Sequence, residues 1–516
     1  MNCPQRLAGM VCLLLLTTRF GWGQQIQFVE QTIDPPLLHS GNYMITGQGF
    51  ADLNNDDWPD LVVTSSNGPD HVYLNVAGSL LPAPGFQQAM ASTDRSGGIA
   101  FADYDNDGDT DLFVACYGED RLYRNDDGTG FTEIGAAAGV NWAGRGESAA
   151  WGDLNADGWP DLAVAGFPLP DSEQPDPEHP IHHNRLYFNN GFDSNRNGGF
   201  SDVTHLLGDL APLRRLTFAV TIIDFNNDGR ADLLFANDKE QGNLLYRNDG
   251  PGCDGWCFTD VSTASGAERP VDGMGISWAD YDHDGDLDLF ISGHGEQVLL
   301  QSQVAQGMAN FIEVSTAAGI NYNAVGWGSV FQDFDNDGWE DLFLATFATF
   351  GASDRVFGNL GDGSFADVSS GSGASDPFQS IGAAWADVNL DGGIDLLVGD
   401  YNDRYHLYTN ATASQNNWLQ LRLLGNPTLG MDALGSRILL QRSDGEQLLR
   451  VIHSGDSIGS GSSLIAHFGL GAYQAESIEI IWPNGHRQVI DSPAANRLHA
   501  LSYQLPEVFQ RDSFEN

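Results

Sequence analysis

Asp103-Tyr104-Asp105-Asn106-Asp107-Gly108-Asp109-Thr110-Asp111 lies between two runs that read as strands, Gly98 to Ala102 before it and Leu112 to Cys116 after it. Side-chain oxygens fall at positions one, three, five and nine of this stretch, and Gly108 at position six permits a sharp turn. With a backbone carbonyl at position seven, the loop offers an oxygen-rich shell that suits calcium; magnesium prefers a tighter octahedron.

The phrase returns, with first acids at Asp52, Asp103, Asp153, Asp224, Asp280, Asp333 and Asp387. Most spacings run from 50 to 56 residues, and the one of 71 residues holds a Pro-rich insertion, Phe167 to Asn184, read as a surface loop. The candidate ligands are Asp52, Asn54, Asp56 and Asp60; Asp103, Asp105, Asp107 and Asp111; Asp153, Asn155, Asp157 and Asp161; and Asp224, Asn226, Asp228 and Asp232. They continue as Asp280, Asp282, Asp284 and Asp288; Asp333, Asp335, Asp337 and Asp341; and Asp387, Asn389, Asp391 and Asp395. The first loop departs from the pattern by placing Asp57 where glycine is expected. An EF-hand is the rival, but the Glu at position twelve is missing and the flanks are strand-like. Solvated turns are the blander alternative, and 24 carboxylates at these positions would repel one another without cations. The expectation is up to seven structural calcium ions.

Around each loop the pattern calls for four strands: a small-residue strand, an apolar strand as in Asp395-Leu396-Leu397-Val398, a third such as Leu122-Tyr123-Arg124-Asn125, and a fourth opened by Phe. Fourth strands are expected at Phe86, Phe131, Phe200, Phe258, Phe311 and Phe365, six for seven loops. Phe28-Val29-Glu30-Gln31-Thr32 supplies the missing copy from the N-terminal side, so the ring is expected to close through it. Such a repeat describes an all-β, seven-bladed β-propeller, which protects strand edges by radial packing. After Asn410 the acidic loops stop, and alternation in Trp418 to Leu423 with hairpin signals at Asp444-Gly445 and Asn484-Gly485 marks a small C-terminal β domain.

The chain of 516 residues divides into a signal peptide at 1–23, the propeller at 24–412, the β domain at 413–505 and a polar tail at 506–516. Arg6, the apolar Leu7 to Thr18 and the small Gly21 and Gly23 fit a secretory signal cleaved after Gly23, which places the protein outside the cell or in the cell envelope or periplasm. No later stretch is long and apolar enough to insert in a membrane. A net charge of −47, or −49 once Arg6 and Arg19 leave with the signal, excludes nucleic acid as a partner. Cys253 and Cys257 are expected to pair, and Cys116 reads as an inert core thiol.

The repeats from residue 28 to 410 resemble the FG-GAP/VCBS family, whose blades occur in integrin alpha chains and bacterial secreted proteins. That resemblance implies calcium in the hairpin between the first two strands of each blade, with ligands often on the opposite face of the ring. Asn417-Trp418-Leu419, Ala433 to Ile438, His467 to Gly471 and Ile480 to Gly485 resemble the ASPIC/UnbV domain that follows such propellers in the cartilage acidic protein family, whereas Gly455 to Ser463 departs from it.

Gly455-Asp456-Ser457-Ile458-Gly459 has the spelling of a nucleophile elbow but lies in a Gly/Ser loop without a helix signal. His179, His182 and His183 with Asp171, Asp176 and Glu178 are read as a solvated loop rather than a transition-metal site. Trp58, Trp159 and Trp339, at position seven of their loops, are read as inter-blade packing rather than sugar platforms. Two functions remain: a calcium-dependent recognition or adhesion module for an extracellular protein or glycan, which is favoured, and a polysaccharide lyase. A lyase needs a base beside the uronate, yet Lys239 is the only lysine and no His/Tyr constellation recurs. A recognition protein rather than an enzyme is therefore expected.

Overall fold

The computed structural model describes residues 25–31, 47–66, 68–91, 95–168, 184–192, 198–208, 216–239, 241–253, 255–305, 307–348, 352–401, 404–412 and 415–504. The signal segment, the C-terminal tail and the histidine-bearing part of the long insertion lie outside these residues. No helix among those described is long and apolar enough to cross a membrane.

Seven antiparallel four-stranded blades form a ring. In the second blade the strands are Arg95–Ala102, Asp111–Glu119, Arg121–Asn125 and Phe131–Glu133. The inner strands of the seven blades begin at Gln48, Arg95, Ala143, Thr217, Gly273, Ala324 and Ser380, and each neighbours the next, with the seventh returning to the first. The second strands are continuous apolar runs because both faces are covered by adjoining blades; Leu112 to Cys116 is fully buried. Consequently the ring's core divides into seven packets, each lying between two neighbouring blades.

The ring closes as the sequence suggests. Phe28–Gln31 pairs antiparallel with Tyr405–Asn410, Phe28 opposite Asn410, and supplies the outer strand of the seventh blade. Phe131, Phe200, Phe258, Phe311 and Phe365 lie in the expected outer strands, but Phe86 does not. It sits in a short helix, Pro84–Ala89, and the first blade's outer strand is Ser79–Pro82. Pro84 opens that helix where its missing N–H costs nothing. Phe86 still fills the inter-blade space, edge-on to Phe131 at 4.8 Å.

The C-terminal module has two sheets. One orders Ala466–Gly471, Asn417–Leu424 and Leu498–Ser502; the other orders Gln447–Val451, Arg437–Arg442, Ala475–Ile481 and Arg487–Asp491. Both expected hairpins form, with Gly445 and Gly485 at positive φ. Leu419, Ile438, Phe468, Ile478 and Trp482 fill its core. Cys253 and Cys257 are bonded and Cys116 is buried.

Candidate metal centres beneath the C-terminal module

Each acidic loop joins the first two strands of its blade and repeats one backbone path. Residues at position four are left-handed in all seven, from Asn55 at φ 57° to Leu390 at φ 56°, although five are Asn or His and two are Ala156 and Leu390. Position six is left-handed as well: Gly108 has φ 95°, and Asp57 holds the same turn at φ 71°. The first loop therefore folds like the others despite lacking glycine. Carboxylate acceptors stabilise the path, because Asp52 takes the amides of Asp56 at 3.0 Å and Asp57 at 2.9 Å, as Asp103 takes those of Asp107 and Gly108.

Position nine anchors the loop. Its Oδ1 accepts the amide of a third-strand residue at 2.7 to 2.9 Å in every blade: Asn75, Asn125, Asn189, Asn248, Ser302, Asn359 and Asn410. Those asparagines do more. Asn125 Nδ2 donates to Leu53 O at 2.8 Å, a carbonyl of the preceding blade's acidic loop, and also to Thr110 O at 3.2 Å. Asn75, Asn189, Asn248, Asn359 and Asn410 make the same cross-blade clasp. Ser302 stands in this place in the fifth blade. The sequence showed Asn125, Asn248 and Asn410 as the end of a recurring phrase, Leu-Tyr-Arg-Asn or Leu-Tyr-Thr-Asn, but their role depends on the neighbouring blade.

Carboxylates of positions one, three and nine come within 4.8 Å of one another in three loops: Asp103, Asp105 and Asp111; Asp280, Asp282 and Asp288; and Asp333, Asp335 and Asp341. In the other four loops an asparagine at position three presents its oxygen as Asp335 does; Asn155 Oδ1 accepts Asp157 N at 3.0 Å and Asp335 Oδ1 accepts Asp337 N at 3.1 Å. Position five, expected as a ligand, stands outside these triplets and turns one oxygen to the position-seven amide, as Asp107 does to Asp109 at 2.9 Å.

The electrostatics fit a cation. Burial, with neighbouring carboxylates adding to it, pushes Asp111, Asp288 and Asp341 well above the usual carboxylate range. Asp60 is pushed up to about 7, by burial first. In the fifth loop Asp280 Oδ2, Asp282 Oδ1 and Asp288 Oδ2 are buried without a hydrogen-bond partner. Three converging acceptor-only oxygens with unmet capacity are what a hard divalent ion satisfies.

The C-terminal module lies over this face and touches every loop. Arg422 reaches Asp52 at 2.9 Å and Asp57 at 2.8 Å in the first loop, and Asp432 accepts the Asp103 amide in the second. Gly158 of the third loop abuts Thr428. Asp224 of the fourth and Gly285 of the fifth face Arg437, which donates to Gly285 O at 3.2 Å. Arg442 donates to Asp337 O at 2.9 Å in the sixth, where His467, held neutral by burial, meets Asn336 Oδ1 at 2.7 Å. Gln420 donates to Asp387 at 3.0 Å in the seventh.

The FG-GAP-like repeat family matches residues 52–114, 103–164, 224–291 and 333–398, and the ASPIC and UnbV family matches residues 427–507. The chain carries FG-GAP repeats and an ASPIC and UnbV domain. Cartilage acidic protein 1 of Xenopus tropicalis is 24% identical over 473 residues, 85% of this chain and 70% of its own length. The Mus musculus protein of the same name is 25% identical over 278 residues, 52% of this chain but only 42% of its own length. Among solved structures, an Agrocybe aegerita lectin that recognises non-reducing terminal N-acetylglucosamine overlays with a TM-score of 0.41 at 17% identity, covering 70% of this chain and 86% of that one.

From the ASPIC and UnbV domain, Gly455 to Ser463 descends along the propeller axis and meets all seven FG-GAP blades. Ser460–Gly461 pairs parallel with Gln48–Gly49 of the first blade, and Ile99 N of the second donates to Gly459 O at 3.1 Å. Gly455 packs on Ala150 and Val220 of the third and fourth. Ser457 and Ile276 of the fifth exchange backbone bonds of 2.6 and 3.1 Å. Ser329 N of the sixth donates to Ser457 Oγ at 3.1 Å, and Ser463 N donates to Trp385 O of the seventh at 3.3 Å. Small residues recur in the inner strands because this segment runs so close; a Cβ on Gly98 would fall 2.6 Å from Gly459 Cα. The nucleophile-elbow spelling is accounted for here, since Ser457 is 1% exposed and its Oγ is engaged by an amide. Trp339 stacks on His283 of the neighbouring blade with ring centroids 3.6 Å apart, in keeping with inter-blade packing.

Proposed function

We propose that the protein is a secreted, calcium-binding recognition or adhesion module. Each acidic loop holds up to one structural calcium ion through its residues at positions one, three, five and nine, and a protein or glycan ligand outside the cell is met on the opposite face of the ring. When bound, an ion would draw the carboxylates of one hairpin together and offset their repulsion.

The observation that carries this reading is the cover over the loops. An ion beneath the ASPIC and UnbV domain is placed to hold the fold rather than to meet an outside ligand. That leaves the far mouth, where the half-buried Phe167, Phe347 and Tyr401 surround Ile458 and the buried Phe218 and Trp327. Aromatic faces of this kind suit sugar rings or apolar side chains.

A capture screen of extracellular glycans and surface proteins on the full chain, with calcium and with chelator, tests the reading. Capture is expected in calcium only, and Tyr401→Ala with Phe347→Ala is expected to weaken it. Capture unaffected by that pair would sink the far-face assignment, and unsaturated products released from uronate polymers would favour the lyase. The calcium assignment has its own measure: removing the metal lowers the melting temperature, because each ion at one hundred times its Kd adds about 2.7 kcal/mol to the folded state. Melting unchanged after verified metal removal would overturn it.

A further inference from the structure

We propose that cation loading of the second acidic loop controls the docking of the ASPIC and UnbV domain, and with it the seating of the axial loop, through Asp432. The proposal rests on the calcium reading above and goes beyond it by assigning a conformational consequence to one site.

The domain meets the first, fifth and sixth loops with the guanidinium groups of Arg422, Arg437 and Arg442, whose charge complements the acids there. It meets the second loop with a carboxylate. Asp432 Oδ2 accepts the Asp103 amide, and Asp103 is itself 2% exposed and grouped with Asp105 and Asp111. An ionised carboxylate beside Asp103, itself grouped with Asp105 and Asp111, is repulsive, and a cation among those acids removes the repulsion. With the ion present, the same contact is one more favourable acid beside a divalent charge. The sign of this contact therefore changes with metal occupancy, which is the requirement for a ligand to shift a docking equilibrium.

The axial loop is the part of the domain that would report the shift. It reaches the propeller axis only because the domain is seated on the acidic face. The amides of Ile99, Ile276 and Ser329, in three separate blades, have acceptors in this loop: Gly459 O, Ser457 O and Ser457 Oγ. Unseating the domain withdraws these acceptors together and removes Ile458 from beneath Phe218, Met274 and Trp327. The channel through the ring then opens and the far mouth loses its floor.

Hydrogen exchange followed by mass spectrometry across a calcium titration of the full chain, alongside metal analysis, tests this. Peptides containing Ile99, Ile276 and Ser329 are expected to lose protection as free calcium falls, while the second strand of the sixth blade, Asp341–Phe347, stays protected. Asp432→Asn retains an oxygen for the Asp103 amide and removes the like charge, so its half-point is expected to lie at least about threefold lower in calcium. Axial amides that stay protected after metal analysis shows the calcium gone would overturn the proposal. So would a shared half-point for the variant and the natural chain, or simultaneous loss of protection in Asp341–Phe347. A chain that retains no calcium at millimolar concentration overturns the calcium reading itself, and the coupling with it.

Discussion

Replacing Asn125 by alanine is expected to destabilise the ring from a position that touches no candidate ligand oxygen through its side chain. The substitution removes donations to Leu53 O at 2.8 Å and Thr110 O at 3.2 Å, and the acceptor for Gly128 N at 3.1 Å. Asn125 is fully buried, so these partners are left without ready access to water. Each lost bond costs about 1 kcal/mol, and a stranded buried carbonyl adds to that, giving about 2 to 4 kcal/mol in all. A cooperative unit of this size has an unfolding entropy near 1 kcal/mol/K, so the melting temperature should fall by about 2 to 4 °C in saturating calcium, read by calorimetry. Asn125→Ser, which imitates Ser302 of the fifth blade, should fall by less. A shift under about 0.5 °C for Asn125→Ala, the size expected of a surface change, would refute the clasp as a stabilising element.

Asp288→Asn turns an amide hydrogen towards the fifth loop's unmet oxygens, and calcium titration should show that site weakened at least about tenfold while the remaining sites hold. Phe28→Ala removes a ring that is 4% exposed and lies edge-on to Phe334 at 5.3 Å, so urea unfolding should show a loss of about 3 to 5 kcal/mol with the seventh blade exchanging first. Burial pushes the Asp70 carboxyl up to about 7 against hydrogen bonds from Ser65 and Ser96 and the nearby Arg121. The folded state then holds that proton where the unfolded chain has released it, so this group's contribution to stability falls as pH rises from about 4 to about 7. Asp70→Asn should flatten the melting temperature against pH across that window relative to the natural chain; parallel curves would refute the assignment.

Much of this arrangement could be read directly because a β-hairpin loop is local. Nine residues carry the oxygens and the turn, with a strand signal directly on either side, so seven copies reveal seven blades, and the leftover Phe28 phrase reveals how the ring closes. The same locality explains the miss at Phe86. An outer strand has one pairing partner, and a proline at Pro84 tips such a weak signal into a helical turn while the phenylalanine keeps its place between blades.

Local pattern was enough to give the all-β class, the blade count, the closure through Phe28 to Gln31, the acidic loops and the start of a second β domain. Each follows from periodicity within about ten residues or from the spacing of repeats. Folding is what brings Asn125 and its counterparts onto the preceding blade, turns Arg422, Asp432 and Gln420 to the acidic loops, and sets Gly455 to Ser463 along the axis. Those contacts join residues distant in sequence: Gln420 meets Asp387 across 33 positions, Asn125 meets Leu53 across 72, and Gly459 meets Ile99 across 360. A glycine-rich segment has no periodicity of its own to announce such a partner; its place is set by the shape of the ring it enters.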